Sequence, residues 1–274
     1  MSRKSRKRRR RRSTRPVWLS RQRLRRLKRW VSRFPPVLLG AAAALALGAT
    51  LLAANWVYQV VRKPSELFFP VSGTLDKSPP ETWNTYAPLF RAHATSVVTP
   101  DLLAALAQVE ASGNPVARTY WRFTLTSEPF EIYRPASSAV GMYQMTDGTF
   151  AEARRYCVHD HVVVEQGAWN ALRSCWFNGL YTRVVPSHAI ELTAAYLDRK
   201  VATILARHSD VPATLAQKQR LAALIHLCGA GAAESYVRRG LHLVSGQRCG
   251  DHDAAAYLAR VHSLQTVFAD FART

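Results

Sequence analysis

The sequence predicts a mainly α-helical (α+β) domain with a small β-hairpin insertion, carried behind one N-terminal membrane-crossing helix. Three observations predict this. Residues 34–61 contain no charged residue. Beyond residue 80, apolar residues recur at spacings of three and four, the period of a helix that buries one face. Only the stretch 118–134 alternates apolar and polar residues, the period of a strand.

The net charge of +20 belongs to one end of the chain. Residues 1–33 hold 17 Lys and Arg and no acid, with Arg8 to Arg12 unbroken, whereas the remainder carries 21 basic against 18 acidic residues. A basic block before an apolar segment of about twenty residues or more orients a membrane span with its N-terminus in the cytoplasm. This topogenic role accounts for the tail, so nucleic acid is not expected as a partner, and the near-neutral remainder is not built to hold polyanions. Trp56 and Tyr58 near the far end suit the membrane interface, and Arg62-Lys63 follow. A cleaved signal peptide ending near Leu52-Ala53-Ala54 is the rival reading, but the basic region and apolar core are long for one, which favours an uncleaved anchor. Residues 62–80, with Pro64, Pro70, Pro79 and Pro80, read as a linker, and 81–274 as the exported domain.

In that domain a helix is expected over Trp83–Ala94. The next runs from Thr99, an N-cap before Pro100, through Leu102, Leu103, Leu106 and Val109 to a stop at Gly113-Asn114-Pro115. Glu110 lies in its last turn beside the apolar face. Poor solvation and the negative end of the helix dipole there both predict a raised pKa, as a general acid needs. In the excursion that follows, Trp121, Phe123 and Leu125, then Phe130 and Ile132, alternate around Ser127-Glu128-Pro129, which predicts a β-hairpin. Asp147-Gly148-Thr149 open a helix to about Tyr156. Pro186-Ser187 start a long one with Ile190, Ala194, Leu197, Val201, Ile204 and Leu205 buried, and further helices fit Leu215–Leu227 and Ala255–Phe271.

All four cysteines follow the apolar segment, as expected of a chain exported to an oxidising compartment. Three pairings are open to them, and proximity favours Cys157–Cys175 and Cys228–Cys249. No pair has zinc-site spacing, and neither a metal nor a cofactor is expected. His159, Asp160 and His161 read as loop residues near a disulfide.

Three segments together resemble the catalytic domain of the soluble-lytic-transglycosylase type, a member of the lysozyme-like superfamily. One is Glu110-Ala111-Ser112-Gly113-Asn114-Pro115, which is similar to the family's helix end with its catalytic glutamate and a proline five positions on. The second is Gly141-Met142-Tyr143-Gln144-Met145-Thr146-Asp147-Gly148-Thr149, similar to the family's glycine, two hydrophobic residues, glutamine and helix start. The third, His226-Leu227-Cys228-Gly229, stands where the family has a tyrosine-asparagine-alanine-glycine turn, and Glu191 to Leu197 supplies the preceding helix with its Tyr196-Leu197 pair. The likeness covers roughly Trp83–Val237. It departs at Ala111, where the family keeps a serine (Ser112 lies one place on), at Asp147 in place of proline, and at His226-Leu227.

The resemblance implies a lysozyme-like fold and a murein lytic transglycosylase at the inner membrane, its catalytic domain in the periplasm and peptidoglycan glycan strands as partner. Glu110 is the implied single general acid/base. Ser112, Gly141, Met142, Tyr143, Gln144, Tyr196 and His226 are the implied substrate-binding positions, Gly141 to Tyr143 through their backbone. For Gln144, Tyr196 and His226 a supporting, core or structural role stands beside that one. No second acid stands in the matching motifs. A hydrolase of the same bond and a non-catalytic peptidoglycan-binding scaffold remain the alternatives.

Overall fold

The structure is a computed structural model and describes residues 34–68, 70–168, 171 and 174–273. The basic tail expected at 1–33 lies outside the described residues. The chain divides into two units, one ending at Trp56 and the other beginning at Val57.

Helix α1 (Pro36–Arg62) is long and apolar enough to cross a membrane, with a mean hydropathy of 2.2 over its best window. At a rise of about 1.5 Å per residue its 27 residues reach about 40 Å, against a hydrocarbon thickness of about 30 Å.

The second unit is built from α2 (Pro79–His93), α3 (Pro100–Ala111), α4 (Asp147–Ala153), α5 (Pro186–Arg207), α6 (Leu215–Arg238) and α7 (Ala254–Arg273). Three two-stranded antiparallel hairpins accompany them: β1 (Trp121–Phe123) with β2 (Tyr133–Pro135), β3 (Tyr156–His159) with β4 (Val162–Glu165), and β5 (Arg248–Cys249) with β6 (His252–Asp253). The sequence expectations for α2, α3, α5 and α7 agree with these bounds to within a few residues.

Helix α3 is the centre. Leu102 through Ala107 are all buried, so this helix is covered on every side, chiefly by α7 and α2. The alanines at 104, 105 and 107 let those neighbours approach, while Leu102, Leu103 and Leu106 each contribute about 2 kcal/mol by leaving water. Its C-terminus is fixed by side chains: Thr82 Oγ1 donates to Gln108 Oε1 at 2.7 Å, and Gln108 Nε2 donates to the Lys77 carbonyl at 2.9 Å. Gly113 turns the chain at φ +65°, where a Cβ would strike the Thr82 hydroxyl. Glu110 is thereby held in a rigid last turn.

Four expectations need correction. Residues 62–80 are not a free spacer: Glu66 is fully buried, accepting from Arg118 Nη1 (2.7 Å) and Trp121 Nε1 (2.8 Å), with Lys63 Nζ at 3.3 Å. Farther on, Asn114 Nδ2 donates to Asp76 at 2.8 Å, and Lys77 N to the Ser112 carbonyl. A charge as deeply desolvated as Glu66 needs such partners, and they pin the segment down. The first hairpin has a wider turn than expected, Phe123 pairing with Tyr133, because Pro129 starts a 3-10 turn over Pro129–Glu131. Helix α4 stops at Ala153, and Tyr156 begins β3 instead; of the three residues expected in a loop, Asp160 and His161 form the turn between β3 and β4, while His159 ends β3. Cys157 and Glu191 impose this, since Cys157 is bonded to Cys175 and the Val158 amide donates to Glu191 Oε1 at 3.1 Å. The helix expected to stop at Leu227 runs on as α6, broken by Gly229 at φ +76°, ψ +172°.

Both disulfides pair as proximity favours, Cys157–Cys175 and Cys228–Cys249, with Cα separations of 5.5 and 5.2 Å.

Candidate active site

Glu110 opens into a cavity of about 640 Å³, within the size range of small-molecule sites. One wall is Arg118-Thr119-Tyr120, another is Asp251-His252-Asp253, and Gln144, Tyr257 and Arg260 complete it. The Arg118-Thr119-Tyr120 wall is shared with a second hollow of about 440 Å³, lined by Ser72, Gly73, Asp76 and Ser112. The two hollows thus adjoin this one segment, and Glu110 lines only the larger. Another hollow, of about 570 Å³ between Asp101, Arg220 and His262, shares no lining residue with it and contains neither Glu110 nor Gln144.

Three helices converge on the carboxylate. Tyr257 of α7 donates its hydroxyl to Glu110 Oε1 at 2.5 Å, and His226 Nε2 of α6 stands 3.4 Å from the same oxygen. His226 sits edge-on to the buried Tyr143, with ring centroids 6.4 Å apart.

The electrostatic balance corrects the sequence expectation. Burial does push the Glu110 pKa up, but the hydrogen bond and charge of His226, the Tyr257 hydroxyl and the charge of His252 outweigh it, and the net shift is downward from 4.5. The helix end and apolar face were legible in sequence; two histidines from distant segments were not. Tyr257 moves the other way, its hydroxyl raised well above 10 by burial and by the adjacent Glu110.

The expected substrate contacts divide. Gln144 and His226 are brought to Glu110's surroundings, Gln144 as a cavity wall whose amide nitrogen also donates to the carbonyls of Gly141 (2.9 Å) and Ala117 (3.3 Å). Gly141 adopts φ +80° with the Arg183 and Pro115 carbonyls where a Cβ would stand, so it shapes the turn. The side chains of Met142 and Tyr143 do not reach the cavity. Both are in the core, and the Tyr143 hydroxyl donates to the Leu103 carbonyl at 3.2 Å. Ser112 ends α3 in the left-handed conformation and lines the neighbouring hollow, not the one that holds Glu110. Tyr196 is buried beside Glu152 and Tyr156, and Lys200 lies over its ring, which places it among α4, β3 and α5; burial and these neighbours push its hydroxyl to about 12.

Sequence reading missed Tyr257, Asp251, His252 and Asp253. Tyr257 shares the buried face of α7 with Leu258, Val261 and Phe268, so its spacing alone marks it as a core residue. Asp251 lies in the turn of the β5–β6 hairpin and His252 and Asp253 form β6, a hairpin whose place is decided by Cys249, tied to Cys228 two residues after His226. That disulfide joins the His226 helix to the opposite wall. Among the described residues no group of His, Cys, Asp and Glu could hold a metal ion.

A scan against protein-family models gives no match for this chain, and a search of curated proteins finds none.

Proposed function

We propose that the protein is a membrane-anchored murein lytic transglycosylase of lysozyme-like fold, with Glu110 as its single acid/base. The observation that carries the reading is Glu110 itself: a largely buried carboxylate at a helix end that lines a cavity together with Gln144. The order of the Glu110 and Gly141–Thr149 segments along the chain supports it.

In this mechanism the Glu110 carboxylic acid protonates the oxygen that bridges N-acetylmuramic acid to N-acetylglucosamine, and the C1–O bond breaks. The acetamido carbonyl oxygen of the muramoyl residue bonds to C1 and takes up the developing positive charge. Glu110, now a carboxylate, removes the proton of the C6 hydroxyl, whose oxygen displaces the acetamido group at C1. A 1,6-anhydro ring closes and Glu110 is protonated again, with no water consumed. Tyr257 and His226 favour the carboxylate, which makes Glu110 a stronger acid toward the bridging oxygen but leaves less of it protonated at neutral pH.

One observation favours hydrolysis as a second reading. Asp251 and Asp253 line the same cavity, and a second carboxylate is what activation of a water requires. Asp253 Oδ1 already accepts from the Ala256 amide at 2.8 Å, capping α7, which leaves Asp251 for that role.

Mass spectrometry of the fragments released from purified murein by the full chain tests both. Anhydromuramoyl ends that disappear in Glu110→Gln support the transglycosylase. Reducing ends that disappear in Asp251→Asn and Glu110→Gln support the hydrolase. Binding without release by the unmodified protein identifies a scaffold.

The inner-membrane location, with the domain in the periplasm, is part of the proposal and rests on α1 and the basic tail. Reporter fusions after residue 33 and after residue 274 should be active only in the cytoplasm and only outside it, respectively.

A further inference from the structure

The β1–β2 hairpin leaves an apolar tip uncovered. Phe123 is 78% exposed, Leu125 is fully exposed, and Phe130 and Ile132 are exposed as well. A cluster of this kind on a stable fold marks a surface that meets something apolar.

What it meets is indicated by its neighbour. The last turns of α1 touch this hairpin: the rings of Tyr58 and Phe130 stack at 5.1 Å, Gln59 Nε2 donates to the Phe130 carbonyl at 2.6 Å, and Arg62 pairs with Glu131. Tyr58, Gln59 and Arg62 belong to the last turns of α1, so the hairpin is fixed to the end of the same helix that carries the apolar run. The segment that leaves α1 strengthens the tie, because the buried Glu66 accepts from Trp121 of β1 and Arg118 just before it.

We infer that the hairpin tip around Phe123, Leu125, Phe130 and Ile132 seats in the lipid interface beside the end of α1, as a second membrane contact. This rests on the reading of α1 as a membrane span. Phe123 stacks on Tyr133 at 4.5 Å and Trp121 lies tilted against Tyr133 at 5.0 Å, and Trp and Tyr rings are the amphipathic groups that favour the headgroup level. A glycan strand is the other ligand that such rings attract. Leu125 and Ile132 offer no ring to stack on a sugar, and one face of Phe123 is already covered by Tyr133, so the chemistry favours lipid.

The consequence concerns the Glu110 cavity. Tyr120, next to Trp121, lines that cavity and the neighbouring hollow. A hairpin held in the interface keeps the cavity close to the bilayer and directs cleavage to glycan lying near the membrane.

The test uses the full chain in lipid nanodiscs, with a nitroxide on one introduced cysteine at a time: Leu125→Cys, Leu45→Cys in α1, and Val244→Cys, which is exposed on the second unit. Collision with oxygen and with a water-soluble nickel chelate reports depth. The expected result is oxygen-dominated collision at positions 45 and 125, the latter about 5–10 Å into the headgroup and acyl boundary, and chelate-dominated collision at 244. Chelate access at 125 equal to that at 244, with 45 in hydrocarbon, overturns the inference and leaves the span standing. Chelate access at 45 overturns both. Protection of 125 only when soluble murein fragments are added shows a glycan surface and also overturns it.

Discussion

The Tyr257 hydroxyl donates to Glu110 Oε1 across 147 residues of sequence, joining the last helix to the carboxylate at the end of α3. With His226 on the same oxygen, Glu110 is held in one orientation by groups that each lower its pKa. Its position is a matter of helix packing, and its acidity a matter of which side chains the packing delivers.

This arrangement predicts a pH dependence. A general acid is lost as pH rises through its pKa, so kcat/KM for murein cleavage should fall on the alkaline side at a pH set by Glu110. His226→Leu removes the largest opposing influence and leaves burial, which raises the pKa. The alkaline limb should therefore move to higher pH in His226→Leu, and by less in Tyr257→Phe. A pH profile of both variants checks the order.

The same shift has a stability consequence of fixed sign. Because the folded Glu110 pKa lies below 4.5, its contribution is present above about pH 4.5 and disappears as pH falls through the folded value. The melting temperature of Glu110→Gln should consequently vary less between pH 6 and pH 3 than that of the unmodified protein, as followed by circular dichroism.

The Glu66 cluster should be costly to break. Replacing the buried Glu66 by Leu leaves the buried Lys63 without its carboxylate, which should reduce stability by about 3–5 kcal/mol in urea unfolding. Glu128→Leu, on the exposed turn of the same hairpin, should change it by less than about 0.5 kcal/mol.

The two disulfides should separate stability from activity. Each closes a loop of about twenty residues and is worth about 3 kcal/mol. Only Cys228–Cys249 joins the His226 helix to the Asp251–Asp253 wall. Its double serine variant should lose murein-cleaving activity at temperatures where it remains folded, whereas Cys157→Ser with Cys175→Ser should retain it. Activity measured well below each variant's melting temperature makes the comparison.

Gly141→Ala tests the turn that carries Gln144. It demands φ +80° and places a methyl against the Arg183 carbonyl, so destabilisation by more than about 1 kcal/mol and a weakened site are expected.

Local signals carried much of the fold. The uncharged run marked α1, Thr99-Pro100 and Gly113 marked the ends of α3, and 3.6-residue periodicity identified the helices of the second unit, because these patterns act over a few residues. Cysteine spacing favoured the right pairing, since short loops close most easily. What the tertiary structure alone decided is whatever depends on distant segments meeting. Tyr257 and His226 converge on Glu110 and reverse its expected pKa shift, because charges a few ångströms away count for more than position on a helix. The carboxyl group of Glu66, set in a stretch that reads as linker, is buried by Arg118 and Trp121. Met142 and Tyr143 turn into the core, where the Tyr143 hydroxyl meets the Leu103 carbonyl. Sequence placed the acid, and packing determined its neighbours and therefore how it ionises.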